Sequence, residues 1–213
     1  GDYQGLGIVR SVGRQGWPVC VIDDERSISR FSRYATHNVR VPDLRDETAT
    51  IEALLATGRR LGLEGWVIFP TREEAVAAVS RHRDVLSALY RVPTPAWESV
   101  QWAWDKRQTY ALAADLGIPT PRTWYPRAVT DVDEIYAPGP FALKPAIKEH
   151  FVYATGAKAW RADTRDELRA LVGRALDLVG DGEVMVQELI PGDGRSQLAF
   201  CAFFKDGRSV GSL

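Results

Sequence analysis

Apolar residues in the first ninety positions recur at two spacings, one typical of buried strands and one typical of amphipathic helices. Continuous apolar runs predict short strands at residues 19–22, 39–41 and 66–70. Helical spacing predicts helices at residues 6–12, 46–61 and 71–90, the second ending at Gly62 and the third capped by Thr71. Because strands and helices alternate with short connections, the pattern predicts an α/β fold with a parallel sheet covered on both faces.

The pattern changes where Pro93 and Pro95 interrupt it. Beyond them, helices are predicted at residues 105–116 and 164–179, and strands at residues 141–144, 158–161, 184–188 and 197–205. This order is typical of an α+β region in which an antiparallel sheet is backed by a helix. We therefore expect two domains, at residues 1–93 and 94–213.

Composition narrows the classes of partner. The 213 residues include 27 Lys and Arg against 28 Asp and Glu, a net charge of −1, which argues against partners held by charge alone, such as nucleic acid or a membrane surface. Cys20 and Cys201 both lie in apolar runs. We interpret them as buried thiols of a reducing compartment and expect a cytoplasmic protein.

A glycine pair at the start of the first helix offers one candidate ligand site. Gly5 and Gly7 precede helical apolar spacing, and backbone N–H groups at a helix start can bind an anion. Asp23, at the end of the next strand, stands where an acid binds the ribose in dinucleotide folds. Arg10 replaces the third glycine of that pattern, so tight-turn packing is the plainer interpretation. An NAD(P)-binding Rossmann oxidoreductase stays open as an alternative.

Lys144 ends an apolar strand directly before Pro145, a position that predicts a stem in the sheet and an ammonium in a cleft. A lysine there is more often a surface side chain with a buried stem than a ligand. The connection to the next strand also carries Lys148, His150 and Thr155. A mobile connection of this composition could close over phosphate groups and supply positive charge.

Residues 184–193 contain a buried strand, two polar residues, two apolar residues and a Pro-Gly turn followed by Asp193. An adenine ring needs apolar contacts on its faces, peptide groups along its edge and an acid or amide beside its exocyclic amine. Residues 184–193 supply the apolar contacts, the peptide groups and the acid or amide that adenine needs. Asp193 could also accept hydrogen bonds from ribose hydroxyls. A strand ending in an ordinary turn is the commoner interpretation of such a string alone.

Taken together, these motifs resemble the ATP-grasp superfamily. The matching stretches are Asp105-Lys106 and residues 116–121, 141–145 and 186–193, in the order and spacing of the family's central region. The first ninety residues resemble the Rossmann-like domain that precedes the grasp, and residues 2–11 with 21–23 are similar to a branch of carboxylate–amine ligases. The implied fold is a Rossmann-like parallel-sheet domain followed by an incomplete α+β ATP-grasp domain.

The resemblance implies a phosphate-binding role for two lysines. Lys106 and Lys144 would contact the ATP phosphates, and Lys144 would also act catalytically by stabilising the transferred charge. Residues 147–156, with Lys148 among them, would form the flexible loop that covers the phosphates. This loop holds less glycine than those of many relatives.

The same resemblance implies an adenine-binding role for the end of the strand at residues 184–188. Gln187 would face the adenine amino group. Glu188, Leu189 and Ile190 would form the hinge, with Leu189 or its neighbour making backbone contacts and Ile190 packing on the ring. Asp193 would bind the ribose.

Family members hold Mg²⁺ with acidic residues and an asparagine on strands beyond the hinge, and residue 213 lies only about twenty positions after Asp193. We therefore expect the metal ligands beyond residue 213, and expect this N-terminal portion to bind nucleotide with little or no ligase activity. The implied substrates are a small carboxylate and an amine, which are joined through an acyl phosphate. A homodimer is one assembly that the chain could form. A non-catalytic nucleotide-binding protein is the remaining alternative.

Overall fold

The computed structural model describes residues 3–180 and 183–213, and the side chains of residues 148–150 lie outside the described part. The chain divides into two compact units. The first holds Gly1–Thr120 and Pro145–Ala157, and the second holds Pro121–Lys144 and Lys158–Leu213. The domain boundary between residues 93 and 94 stays a prediction.

The first unit combines helices with a parallel pair of strands. Its elements are α1 (Tyr3–Gly13), β1 (Cys20–Asp23), β2 (His37–Arg40), α2 (Glu47–Leu61), α3 (Glu73–Arg81), α4 (Arg83–Ser87), α5 (Trp97–Trp104), α6 (Lys106–Asp115) and α7 (Lys148–Thr155), with a short 3-10 helix at Ile28–Phe31. β1 and β2 pair in parallel, with Cys20 opposite His37 and Asp23 opposite Arg40. This pairing confirms the predicted α/β class with parallel strands.

Helix α2 shows how local chemistry sets an element's limits. The Asp46 carboxylate accepts a hydrogen bond from the Ala49 N–H at 2.7 Å, which caps the helix start. Gly62 ends the helix in the left-handed conformation, with a φ of 63°. Ile51 and Leu54 lie on the buried stripe of this helix and belong to the core of the first unit.

Three predictions for the first unit were wrong in detail. Residues 66–70 form no strand, because Val67 makes only an isolated parallel bridge to Arg91. The helix predicted from Thr71 begins at Glu73, with Arg72 as its N-cap. It also stops at His82, whose φ of −103° and ψ of 23° leave the helical range, so that α4 starts as a separate helix. Helix α5 was not predicted.

The second unit is built on a four-stranded sheet. Its elements are β3 (Thr123–Trp124), β4 (Phe141–Pro145, whose last residue belongs to the first unit), β5 (Trp160–Ala162), α8 (Arg165–Val179) and β6 (Val184–Glu188), with a 3-10 helix at Val129–Glu134. The strand order is β3-β6-β4-β5, with β3 antiparallel to β6 and β4 antiparallel to β5. Leu168 and Val172 of α8 are fully buried, as are Leu143 and Val186 of the sheet. Two antiparallel strand pairs with α8 packed on the sheet agree with the predicted antiparallel sheet backed by a helix.

The end of the chain differs from its predicted strand. Residues 197–201 are not a strand, and the following residues form an antiparallel hairpin of β7 (Ala202–Lys205) and β8 (Arg208–Ser212) after a 3-10 helix at Gly194–Ser196. Every residue of both hairpin strands is exposed. Cys201 is exposed and Cys20 is half-buried, so the prediction of two buried thiols was wrong.

Candidate functional site

The end of β6 holds a buried amide whose orientation is fixed by its neighbours. Gln187 is only 5% exposed, and its Nε2 donates to Thr123 Oγ1 at 2.9 Å. The Thr123 hydroxyl donates in turn to the Pro121 carbonyl at 2.9 Å. Because this chain uses the amide nitrogen as a donor, Oε1 is the acceptor that Gln187 presents.

The two backbone N–H groups that follow Gln187 are hydrogen-bonded within the protein. The Glu188 N–H donates to the Arg122 carbonyl at 3.0 Å, and the Leu189 N–H donates to the Pro140 carbonyl at 3.0 Å. Ile190 follows with a side chain that is 59% exposed. Leu189 or its neighbour was expected to make backbone contacts with a ligand. The Leu189 N–H is already bonded to Pro140 and is therefore not available for such a contact.

The Glu188 side chain forms an ion pair across the sheet. Its carboxylate accepts from the Arg122 backbone N–H at 2.9 Å and from Arg122 Nε at 2.7 Å. These two hydrogen bonds hold the pKa of Glu188 below its usual range. Arg122 was not among the predicted site residues, and its pairing with a residue 66 positions away has no local signal in the sequence.

Lys144 emerges from a strand whose other face is buried. Phe141, Leu143 and Pro145 of β4 are buried, whereas Ala142 and Lys144 are partly exposed. Alternate residues of a strand point to opposite faces, so Lys144 leaves the sheet opposite Leu143. β4 is an internal strand of the sheet, and Lys144 lies near its carboxyl end. The contact of Lys144 with phosphate stays a prediction.

Asp193 lies in the turn after the hinge, where its carboxylate accepts from the Arg195 backbone N–H at 2.9 Å. Gly192 before it has a φ of 135°, a conformation that side chains rarely adopt. This geometry fixes the Asp193 carboxylate as the cap of a short 3-10 helix. A ribose contact by Asp193 stays a prediction.

Lys106 belongs to the first unit, at the start of α6. The Asp105 side chain caps this helix by accepting from the Arg107 N–H at 2.9 Å. Burial acts to raise the pKa of Asp105, but its hydrogen bonds with Arg107 outweigh burial and lower it. The backbone N–H and the Nζ of Lys106 both donate to the Ala146 carbonyl at 3.3 Å.

The predicted phosphate-covering loop is a helix, which corrects the expectation of a mobile segment at residues 147–156. Phe151 of α7 is fully buried, and Gly156 ends the helix with a φ of 68°. Tyr153 donates to Glu74, a contact within the first unit. A buried anchor and a glycine stop explain why these residues form a helix. The side chain of Lys148 lies outside the described residues.

The acid of the alternative dinucleotide site is not exposed. Asp23 is fully buried, and its Oδ1 accepts from Arg72 Nη2 at 3.1 Å. A buried carboxylate in an ion pair is poorly suited to accept from a ribose hydroxyl. The structure therefore gives Asp23 a role in joining β1 to the segment that precedes α3.

Within residues 3–180 and 183–213, no three histidine, cysteine or acidic side chains are grouped to hold a metal ion. None of the helices in this part of the chain combines the length and apolar character needed to cross a bilayer.

The fold is that of the ATP-grasp carboxylate–amine ligases, which confirms the resemblance found in the sequence. L-amino acid ligase from Bacillus licheniformis superposes with a TM-score of 0.65 at 18% identity, covering 88% of this chain and 42% of the ligase. N5-carboxyaminoimidazole synthetase from Staphylococcus aureus, complexed with ADP, superposes with a TM-score of 0.58 at 18% identity, covering 87% and 43%.

Sequence comparison finds a related ligase but no matching family model. D-aspartate ligase from Enterococcus faecium (strain Aus0004) is 22% identical over 222 residues, which cover 98% of this chain and 52% of the ligase. The chain thus spans about half the length of the curated relative it matches.

Proposed function

We propose that the chain is the N-terminal part of an ATP-dependent ligase that joins a small carboxylate to an amine. In this arrangement a Rossmann-like domain precedes an incomplete ATP-grasp domain. The observation that carries the proposal is the amide of Gln187 at the end of β6, whose orientation is fixed by its hydrogen bond to Thr123. In the hinge that follows, the Leu189 N–H is bonded to Pro140 and the Ile190 side chain is exposed. Solved neighbours of the same fold include a synthetase in complex with ADP.

The hinge chemistry fits adenine. Gln187 Oε1 accepts from the exocyclic amine, because its Nε2 already donates to Thr123. The Ile190 N–H serves as the donor to a ring nitrogen, since the Leu189 N–H donates to Pro140. The exposed Ile190 side chain provides apolar contact to the ring face.

The lysines act on the phosphates. Lys144 stabilises the negative charge that moves with the γ-phosphate, and Lys106 is a second phosphate contact implied by the family resemblance. A substrate carboxylate oxygen attacks the γ-phosphorus and ADP leaves, which forms an acyl phosphate. The amine then attacks the acyl carbon, loses a proton and expels inorganic phosphate.

Magnesium would neutralise charge on the transferring phosphate, and its ligands are proposed to lie beyond residue 213. We therefore expect the 213-residue chain to bind nucleotide without turning it over, and the full-length ligase to carry the activity. Small-molecule substrates are consistent with the names of the related ligases.

Calorimetric titration of the chain with ATP tests the role of Lys144. A charge-assisted contact is worth about 1.5–3 kcal/mol, so Lys144→Ala is expected to weaken ATP binding about 10- to 150-fold. Lys158→Ala is the matched control, because Lys158 is an exposed lysine of the same unit. Equal affinity of the Lys144→Ala variant and the unmodified chain would show that Lys144 does not contact the phosphates.

Nucleotide selectivity tests the hinge separately. An acceptor at Gln187 favours the 6-amino group of adenine over the 6-oxo group of guanine, so the chain should bind ATP more tightly than GTP. Gln187→Leu removes the acceptor and should abolish this preference, while Thr123→Val frees the amide and should reduce it. Tight NAD(H) binding without ATP binding would favour the oxidoreductase alternative instead.

A further inference from the structure

Helices α5 and α6 are joined by a single residue. α5 ends at Trp104 and α6 begins at Lys106, so Asp105 alone forms the corner between them. The Asp105 N–H donates to the Gln101 carbonyl at 3.1 Å and closes α5, while the Asp105 carboxylate caps α6. The direction in which α6 leaves the corner, and with it the position of Lys106, therefore depends on Asp105.

The start of α6 carries positive charge where helices usually carry negative charge. Lys106 and Arg107 are its first two residues, and residues 106–109 include no acid. The N-terminal end of the helix dipole is itself positive, so both cations are placed against it. Asp105 is the neighbouring carboxylate, and two cations beside it can compete for one negative charge.

The Arg107 guanidinium binds both oxygens of the Asp105 carboxylate. Nε donates to Oδ1 at 2.9 Å and to Oδ2 at 3.0 Å, and Nη2 donates to Oδ2 at 2.5 Å. The Asp105 side chain is only 12% exposed, so water competes weakly for these oxygens. Because the guanidinium is planar and holds two oxygens at once, it fixes the carboxylate in one orientation.

The Lys106 ammonium is directed at a neutral acceptor. Its Nζ donates to the Ala146 carbonyl at 3.3 Å, and its backbone N–H donates to the same oxygen at 3.3 Å. Both distances are longer than the usual N–H···O separation. A phosphate oxygen is a stronger acceptor than a peptide carbonyl, so the ammonium can exchange Ala146 for an anion.

The pKa of Asp105 shows that both cations act on its carboxylate. Burial acts to raise this pKa, the hydrogen bonds and the charge of Arg107 act to lower it, and the pKa is lowered on balance. The charge of Lys106 also lowers it, with a smaller effect than that of Arg107. Lys106 therefore lies within electrostatic range of a carboxylate that is bonded to Arg107.

We propose that Arg107 is a positioning residue for nucleotide binding, because its hold on both Asp105 oxygens keeps that carboxylate from pairing with the Lys106 ammonium and leaves the ammonium to phosphate groups. The inference rests on the proposed function in one respect, the contact between Lys106 and the ATP phosphates. It assigns Arg107 an effect on nucleotide affinity through Asp105, without a contact of its own.

A simple brace of the α5–α6 corner is the competing role for the same ion pair. A brace needs both partners, so removing either of them, or both, weakens the corner. A residue that withholds a carboxylate becomes unnecessary once the carboxylate is gone. Removing Asp105 and Arg107 one at a time and together therefore distinguishes the two roles.

Calorimetric titration with ATP and with adenosine measures the effect. In Arg107→Gln the freed Asp105 pairs with Lys106, and ATP affinity should fall about fivefold, the factor by which a partly exposed ion pair shifts an equilibrium. Adenosine has no phosphate groups and should bind unchanged, which also shows that the variant is folded. Asp105→Asn/Arg107→Gln should bind ATP within about twofold of the unmodified chain, since asparagine caps a helix as well as aspartate does.

Two further variants complete the titrations. In Lys106→Ala, the added change Arg107→Gln should leave ATP affinity where Lys106→Ala puts it. Arg169→Gln in α8 is the matched control, because Arg169 also pairs with an acid, Asp166 at 2.8 Å, and it should leave ATP affinity unchanged. A double Asp105→Asn/Arg107→Gln variant as weak as Arg107→Gln would overturn the proposal and identify a brace. Unchanged ATP affinity in Arg107→Gln would overturn it too.

A crystal structure of Arg107→Gln gives a readout that needs no nucleotide. The Asp105 carboxylate should lie within about 4 Å of Lys106 Nζ, the distance of an ion pair. A carboxylate that keeps its place at the cap, with Lys106 still on Ala146, would contradict the proposal. If the unmodified chain binds no ATP, the proposed function fails, and this structure still decides whether Arg107 withholds Asp105 from Lys106.

Discussion

Gly58 is the position where the packing makes the sharpest prediction about stability. It lies in α2, and glycine inside a helix is normally about 1 kcal/mol less favourable than alanine. A Cβ built on Gly58, however, would overlap Leu89 Cδ2 and Tyr90 Oη and lie 2.8 Å from Tyr90 Cζ. Tyr90 cannot turn aside freely, because its hydroxyl donates to the Leu54 carbonyl at 2.7 Å in a buried position.

The expected net effect of Gly58→Ala follows from these opposing contributions. Overpacking a core costs about 1–3 kcal/mol, and losing the Tyr90 hydrogen bond costs about 1 kcal/mol more. After the gain in helix propensity, the substitution should destabilise the chain by about 1–3 kcal/mol. Gly173→Ala in α8 is the matched control, because its Cβ would meet only Val129 Cγ2 at 3.4 Å. We expect Gly173→Ala to stabilise by about 0.5–1 kcal/mol.

Urea unfolding followed by circular dichroism and tryptophan fluorescence measures both variants. The free energy of unfolding should fall for Gly58→Ala and rise for Gly173→Ala. The double variant Gly58→Ala/Tyr90→Phe should lose less than the sum of its two single changes, since removing the hydroxyl relieves part of the overlap. Equal stabilisation by Gly58→Ala and Gly173→Ala would refute the close packing of α2 against Tyr90.

Two further predictions concern titratable groups. Burial acts to raise the pKa of Glu47, but hydrogen bonds from Arg81 and His82 outweigh it and lower the pKa. The stability from this group is present above about pH 4.3 and is lost as the pH falls through the lowered value, so Glu47→Gln should flatten the acid limb of a stability–pH profile. An unaltered limb would contradict this. Burial also raises the pKa of the Cys20 thiol to about 11, so Ellman's reagent at pH 8 should modify exposed Cys201 well before Cys20. Simultaneous modification would argue against the burial of Cys20.

The elements that the sequence predicted best are those fixed by local chemistry. Helix α8 begins with the Thr164 cap, whose hydroxyl accepts from the Glu167 N–H at 3.2 Å, and its buried Leu168 and Val172 follow helical spacing. The strand predicted at residues 184–188 coincides with β6, because an uninterrupted apolar run ending in polar residues is itself the signal of a central strand.

The features that the sequence could not predict depend on distant partners. Glu188 pairs with Arg122 across 66 positions, and no periodicity encodes that contact. Residues 66–70 have the composition of a strand but form only one bridge, because a strand needs partners on its edges. The helix at Lys148–Thr155 was expected to be a loop from the family resemblance, whereas buried Phe151 and the Gly156 stop favour a helix locally.

The pairing of Gln187 and Glu188 bears on how the proposed adenine site obtains its specificity. These consecutive residues of β6 bind two consecutive residues of the same polypeptide at the start of β3, Thr123 and Arg122, and both contacts involve side chains on each partner. The Glu188 carboxylate therefore anchors the hinge and is unsuited to serve as the acceptor for a base. Discrimination between purines then falls to Gln187 Oε1 and to the Ile190 backbone. Replacing Glu188 should weaken nucleotide binding without changing the preference for adenine, whereas replacing Gln187 should change the preference itself.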